Sequence, residues 1–136
     1  MFKISTKSQY GLRAMIYLAR CKKKICPLKD ISKGEEISFD YLEKIISKLE
    51  KSGLVKAKKG SQGGYYLSKK PSRIKIGEII YSLEGDKQLV KCISYGNLKK
   101  IVCSREKGCY AKLLWEKVHD SLKKTLNSIT LADLIK

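Results

Sequence analysis

The sequence is poor in acidic residues, has a single histidine and contains no long apolar run. Since no stretch approaches about 18 consecutive apolar residues, we expect no membrane-spanning helix. Binding to a membrane surface is disfavoured because the basic residues follow a helix–hairpin unit and not one amphipathic face. The first apolar run, residues 15–19, follows Arg13 and has no cleavage pattern of small residues, which argues against a secretory signal. The one histidine, His119, has no readable triad around it. We therefore expect a cytoplasmic protein that is not an enzyme.

The scarcity of acidic residues leaves a large basic excess. The 136 residues include 30 lysines and arginines but only 13 aspartates and glutamates, a net charge of +17. Residues 1–75 hold 19 basic and 6 acidic residues, whereas residues 76–136 hold 11 and 7. Because such an excess in a small chain favours a polyanionic partner, we expect the N-terminal half to bind nucleic acid.

The N-terminal half shows the order of elements that is typical of a winged helix–turn–helix. Helical spacing predicts a first helix over residues 6–20, a short second helix after Pro27 and a third helix over residues 38–52, capped by Ser38. The buried stripe of the third helix is predicted to be Leu42, Ile45, Ile46 and Leu49. Residues 54–58 and 65–67 are predicted strands, joined by a glycine-rich turn. The sequence therefore predicts a mainly α fold with a small β-hairpin wing.

Candidate DNA-binding residues follow from this order, because the start of the third helix in such folds meets base edges in the major groove. These candidates are Ser38, Phe39, Asp40, Tyr41 and Glu43. Glu43 suits the amino group of cytosine, and its alternative role is an ion pair with a neighbouring lysine. Candidate phosphate contacts are Lys44, Lys48 and Lys51, and the wing tip, with Lys59, Ser61, Gln62 and Gly63, can reach an adjacent minor groove.

The C-terminal half predicts an amphipathic helix over residues 74–83 and a long helix over residues 109–127. The apolar positions of the long helix are Leu113, Leu114, Val118, Leu122 and Leu126. A helix of about 19 residues spans about 28 Å, too long for so small a core to cover, which favours a dimer. Thr130 and Asp133 have the spacing of a capping box. We divide the chain into a DNA-binding domain (1–75), a connecting helix with a cysteine-bearing loop (76–108) and a dimerisation helix with a final turn (109–136).

The five cysteines, an odd number, argue against a closed disulfide framework. Cys92, Cys103 and Cys109 lie close to the start of the long helix, among several lysines. Three thiolates there suit a soft metal or an iron–sulfur cluster, and three unligated thiols are the alternative. Cys21 and Cys26 are interpreted as thiols without a ligand role.

The whole chain resembles the bacterial family of winged-helix transcription regulators of the IscR, NsrR, RirA and CymR type. The resemblance is carried by residues 4–7, 10–15, 37–43, 49–55, 59–67, 76–80, 114–115 and 129–134, and by the three late cysteines. It implies a homodimeric repressor or activator that binds a palindromic operator, with Tyr10 against the DNA backbone. It also implies a [2Fe–2S] or [4Fe–4S] cluster on Cys92, Cys103 and Cys109 that senses iron–sulfur status, redox stress, nitric oxide or iron.

The sequence departs from this family where a fourth cluster ligand is expected. Lys112 stands where some relatives have a histidine, and Ser8 lies near the position of a carboxylate in others. His119 is ten residues beyond Cys109, about 15 Å along the helix. Glu106, Ser8, a partner residue and a small exogenous thiol stay open as the fourth ligand. The alternative function is the same DNA-binding regulator without a cluster, controlled by thiol oxidation, zinc or a partner protein.

Overall fold

The computed structural model describes residues 3–85 and 110–136. The described elements are α1 (Thr6–Arg20), α2 (Leu28–Glu35), α3 (Phe39–Lys51), β1 (Val55–Lys58), β2 (Gly64–Leu67), α4 (Ile76–Glu84), α5 (Ala111–Ser128) and α6 (Leu131–Leu134). This order confirms the predicted winged helix–turn–helix followed by a long C-terminal helix. Within the described ranges, no helix is both long and apolar enough to cross a bilayer.

Helices α1 to α3 form the helix–turn–helix unit around one apolar core. Helix α1 is capped by Ser5, whose hydroxyl accepts the Ser8 N–H at 3.2 Å. The turn between α2 and α3 passes through Glu36, whose φ of 55° lies in the left-handed region. Helix α3 then begins after Ser38 and ends within one residue of the predicted range at each end. Its stripe of Leu42, Ile45, Ile46 and Leu49 is buried, as predicted.

The wing is a two-stranded antiparallel hairpin in which Val55 pairs with Leu67 and Lys58 pairs with Gly64. Its tip is a turn closed by the Gly63 N–H, which donates to the Gly60 carbonyl at 3.0 Å. Gly60 has a φ of +117°, a backbone angle that residues other than glycine rarely adopt. The glycine-rich sequence is therefore a requirement of this turn.

The C-terminal end of the chain packs into the same core as the winged helix. Leu131 of α6 is fully buried with Ile79 and Leu83 of α4. The Leu131 N–H donates to the Ile74 carbonyl, and the Ile76 N–H donates to the Ile129 carbonyl, both at 2.9 Å. The predicted start of α4 at residue 74 is therefore wrong. Residue 74 is held in this extended pairing, and α4 begins at Ile76.

Helix α5 packs on α4 but contributes no buried residue to this core. It begins at Ala111, two residues beyond the predicted start at Cys109, which lies outside the described residues. None of its residues is buried, and Leu126 near its end packs against the core from the side. After α5, the predicted capping box is confirmed, because Thr130 and Asp133 each accept the backbone N–H of the other.

Candidate nucleic-acid interface

The outer face of α3 is polar and basic. It carries a shallow depression lined by Asp40, Glu43, Lys44, Ser47, Lys48 and Lys51. All six residues are exposed, whereas the four apolar residues on the inner face are at most 1% exposed. The packing of α3 on its own chain therefore fixes which side of the helix faces outward. Ser47, which helical spacing also places on the polar face, lies one helical turn after Glu43.

The N-terminus of α3 presents polar and aromatic groups outward. The Ser38 hydroxyl accepts the Tyr41 N–H at 3.3 Å, so its own proton can be donated outward. Phe39, the first residue of the helix, is 47% exposed. The positive end of the helix dipole adds to the attraction for a phosphate at this end.

Tyr41 and Tyr10 differ from the other candidates because their rings pack against each other. The ring centroids are 5.7 Å apart at an interplanar angle of 88°, an edge-to-face contact between α1 and α3. The Arg13 guanidinium lies 5.4 Å from the centre of the Tyr10 ring and forms an ion pair with Glu35 at 3.2 Å. Arg13 also donates to the Glu35 carbonyl. This group of side chains joins α1, α2 and α3 and thereby sets the direction of α3.

The wing places further basic side chains beside α3. Lys56 and Lys58 on β1 and Lys59 at the tip are exposed, as are Ser61 and Gln62. Gly63 is half-buried, and a Cβ added there would lie 2.1 Å from the Lys58 carbonyl oxygen.

Strand β1 of the hairpin packs against α3. The pKa of Tyr65 on β2 is raised, first by burial and then by the carboxylates of Glu50 and Glu43. The exposed lysines of the hairpin therefore lie on an element that contacts α3.

The predicted cluster ligands Cys92, Cys103 and Cys109 lie outside the described residues, as does Glu106. Ser8 and Lys112, which stand near positions where some relatives have a fourth ligand, are bonded to other side chains of this chain. The buried Ser8 hydroxyl donates to the Glu84 carboxylate, and Lys112 forms an ion pair with Glu116 at 3.7 Å. Residues 3–85 and 110–136 contain no group of three or more side chains suited to hold a metal ion.

The chain is similar to known proteins over nearly its whole length. The family described as Rrf2, iron-dependent transcriptional regulator, matches residues 4–136. The HTH-type transcriptional regulator IscR of Escherichia coli is 34% identical over 134 residues, which are 98% of this chain and 80% of that protein.

Solved structures agree with the sequence comparison. CymR (YrzC), the global cysteine regulator of B. subtilis, is similar with a TM-score of 0.78 and 39% identity, over 99% of this chain and 97% of that one. The IscR of T. potens is similar with a TM-score of 0.76 and 40% identity, over 98% and 86% of the two chains. The chain thus belongs to the Rrf2 family and is a DNA-binding transcriptional regulator.

Proposed function

We propose that the chain binds duplex DNA as a homodimer, with α3 in the major groove and the wing beside it. The observation that carries this proposal is the contrast between the two faces of α3. The inner face is apolar and buried, whereas the outer face is exposed and carries three lysines. Lysines on such a face and on the adjoining wing carry the charge that a phosphate backbone attracts.

Base edges are read by the first turn of α3. The Ser38 hydroxyl and the Asp40 and Glu43 carboxylates are exposed on this turn or directly after it. A carboxylate accepts from the amino group of cytosine, and an exposed aromatic ring such as that of Phe39 contacts a thymine methyl group. This part of the surface supplies sequence preference.

Phosphates are contacted by Lys44 and Lys48 on α3 and by Lys59 at the wing. The wing tip, with Ser61, Gln62 and Gly63, enters the adjacent minor groove, where its tight glycine turn permits a close backbone approach. Tyr10 contacts the DNA backbone from α1. Tyr41 acts through its packing on Tyr10, which holds the first turn of α3 in place.

The second copy of the chain covers α5. With four-residue spacing, Leu114, Val118 and Leu122 form one row, and Leu114 and Leu122 are 55% and 36% exposed. The 18 residues of α5 extend about 27 Å, and the row meets its own core at Leu126. A symmetric pairing of two such helices buries both rows and turns the two α3 helices toward inverted half-sites.

Cys92, Cys103 and Cys109 would hold the iron–sulfur cluster. Three thiolates are the donor set that such clusters use, and the lysines and arginine of the same segment favour the thiolate form. When bound, the cluster supplies iron that responds to oxidants, nitric oxide or iron supply. Glu106, Ser8, a residue of the second copy and a small exogenous thiol are the candidates for the fourth ligand. The regulator acts in the cytoplasm, where its operator is.

A regulator without a cluster is the second candidate. It is favoured by the similarity to CymR, which is as high as the similarity to the IscR of T. potens. CymR is named for cysteine regulation, and this chain also has two cysteines, Cys21 and Cys26, in the winged-helix part. In this alternative, thiol oxidation, zinc or a partner protein controls DNA binding.

Anaerobic purification followed by a visible absorption spectrum, with iron and sulfide assays on the same sample, separates the two candidates. The cluster proposal predicts a coloured protein with equal iron and sulfide, and loss of colour in Cys92→Ser, Cys103→Ser and Cys109→Ser. Cys21→Ser is the matched control and keeps its colour. A wild-type protein that stays colourless after reconstitution with iron and sulfide would contradict the cluster and favour the second candidate.

A further inference from the structure

Two cysteines lie in the short segment that joins α1 to α2. Cys21 follows the last residue of α1, and Cys26 lies five positions later, directly before Pro27. Both cysteines line the same two surface depressions, one shared with β2 and the other with α2. Cys21 is half-exposed, whereas Cys26 is only 2% exposed. The two thiols are therefore neighbours with unequal access to solvent.

The surroundings of the two thiols give them different chemistry. Burial, followed by the adjacent Cys21 side chain, raises the pKa of Cys26 to about 12. Cys26 is thus a protonated thiol at neutral pH and reacts slowly with an oxidant in solution. Cys21 is the thiol that an oxidant in solution can reach, through a depression that it shares with Lys23.

Cys26 is also the residue on which the wing is anchored. Its N–H donates to the Tyr65 carbonyl at 2.9 Å, and the Tyr65 N–H donates to the Cys26 carbonyl at 2.8 Å. A Cβ added at Gly64 would lie 2.4 Å from the Cys26 carbonyl oxygen. The backbone of Cys26 therefore continues the wing as a third, one-residue strand.

We infer that Cys21 and Cys26 form a reversible intramolecular disulfide, a modification site that is separate from the three late cysteines. The Cys21 thiolate attacks the O–O bond of a hydroperoxide, which leaves a sulfenic acid and, after protonation, an alcohol or water. The Cys26 sulfur then displaces hydroxide from that sulfenic acid, and its proton leaves with the hydroxide as water. A dithiol reductant returns both thiols by exchange.

The disulfide closes the loop of residues 22–25 and fixes the strand residue that anchors the wing. Cross-linking removes conformational freedom from a loop, so we expect the wing to become less mobile where it pairs with Cys26. The resulting change in DNA affinity rests on the proposed contact between wing and DNA. Formation of the disulfide itself does not depend on that contact.

Peptide mapping tests the cross-link on the full chain. Trypsin cuts after Arg20 and within residues 22–24, so it separates the two cysteines into different peptides. After mild hydroperoxide treatment, we expect the Cys21 peptide to be linked to the peptide of residues 25–29. We also expect the chain to run as a monomer on a non-reducing denaturing gel, and a dithiol to remove the link.

Two variants define the roles of the thiols. Cys26→Ala keeps the buried site apolar, and its Cys21 should stop at a sulfenic acid that dimedone captures. Cys21→Ser leaves Cys26 buried and should protect it from the same treatment. Exhaustive oxidation of Cys21 to sulfonic acid in the wild type, with no linked peptide, would overturn the proposal. Linkage mainly to Cys92, Cys103 or Cys109, or between chains, would overturn it as well.

Hydrogen exchange at the Tyr65 amide tests the coupling to the wing. We expect exchange at this amide to slow several-fold in the oxidised chain and to return to its original rate after reduction. Unchanged exchange in a chain that carries the linked peptide would overturn the coupling. Neither measurement involves DNA, so a failure here is distinguishable from a failure of the proposed DNA-binding mode.

Discussion

Helix α3 places its apolar side chains in the core of its own chain, whereas α5 has no buried residue and exposes several leucines. Both helices are amphipathic, and both end near the same core. They differ in what is left on the outside. The outer face of α3 is polar and basic, and Leu114 of α5 remains 55% exposed. One chain thus exposes a charged face on one helix and an apolar face on another.

This contrast teaches how an amphipathic pattern should be interpreted. An apolar stripe shows that a helix must pack against something, but it does not show which chain supplies the other side. Helix α3 lies between α1, α2, α4 and β1, and these elements cover its stripe. Helix α5 packs on α4 within the described structure, but none of its residues is buried. We therefore assign DNA to the outer face of α3 and a second protomer to the leucines of α5.

The largest expected effect is on the free energy of unfolding, when one leucine of α3 and one of α5 are each replaced by alanine. Leu42→Ala removes a side chain with no exposed surface, and we expect the free energy of unfolding to fall by about 2–5 kcal/mol. Leu114→Ala should leave the stability of a single chain within about 0.5 kcal/mol of the wild type. Urea unfolding at several protein concentrations measures both. The loss for Leu114→Ala should appear only where dimers form, and an equal loss in dilute protein would contradict the assignment.

A charge on the apolar row of α5 should separate the protomers. Leu114→Glu places a carboxylate where the partner's leucines would pack, so we expect monomers by light scattering. DNA affinity should fall by about 100-fold or more, because the two half-sites are no longer bound together. Lys117→Gln is the matched control, since it makes the same change in net charge at an exposed polar position of α5. A dimeric Leu114→Glu protein would contradict the proposed interface.

Substitutions at two neighbouring positions of α3 should affect DNA binding differently, one changing the preference between base pairs and the other the affinity for any DNA. Glu43→Gln should reduce discrimination at one base pair by about 1–3 kcal/mol, because an amide replaces the carboxylate acceptor. Lys44→Ala should weaken binding to all sequences and lower the slope of log affinity against log salt by about 1. Titrations of labelled duplexes over a range of salt concentrations measure both effects. The account would be contradicted if Lys44→Ala changed base preference and Glu43→Gln did not.

The smallest effect concerns the end of α5 that is attached to the core. Thr130→Ala removes the N-cap of α6 and should lower the free energy of unfolding by about 1 kcal/mol. Hydrogen bonds from the backbone and side chain of Thr130 lower the pKa of Asp133 below 3.8. The contribution of the Asp133 carboxylate is therefore present above pH 3.8 and is lost as the pH falls through the lower value of the folded chain. Asp133→Asn removes this carboxylate, so acid unfolding of the wild type and Asp133→Asn should converge at low pH, and parallel curves would contradict this.

Local patterns in the sequence predicted the helices and the wing, because caps, stripes and glycine turns depend on residues a few positions apart. Ser38 and the stripe of α3 placed that helix within one residue at each end. Helical spacing places residue 74 in a helix. Its carbonyl instead accepts the Leu131 N–H, a partner so distant in sequence that no local pattern indicates it. The bond from Ser5 to Glu84, 79 positions apart, has no local signal either.

Helical spacing predicts which face of α3 is exposed. It does not predict that Tyr41 of α3 packs against Tyr10 of α1. The edge-to-face contact of Tyr41 with Tyr10 joins α1 to α3 and depends on how those helices cross. In the same way, spacing alone did not show that Cys26 pairs with Tyr65 of the wing. Contacts between elements arise from packing, which a periodic pattern does not encode.

Selection of binding sites from a pool of randomised duplexes tests the central claim most directly. The full-length wild-type chain would be compared with Leu114→Glu, and the enriched sequences would be read from both. The account predicts that the wild type enriches two inverted half-sites at a fixed spacing and that Leu114→Glu loses this paired enrichment. Enrichment of a single, unpaired site by the wild type, or no enrichment at all, would contradict a dimer that reads DNA through two α3 helices.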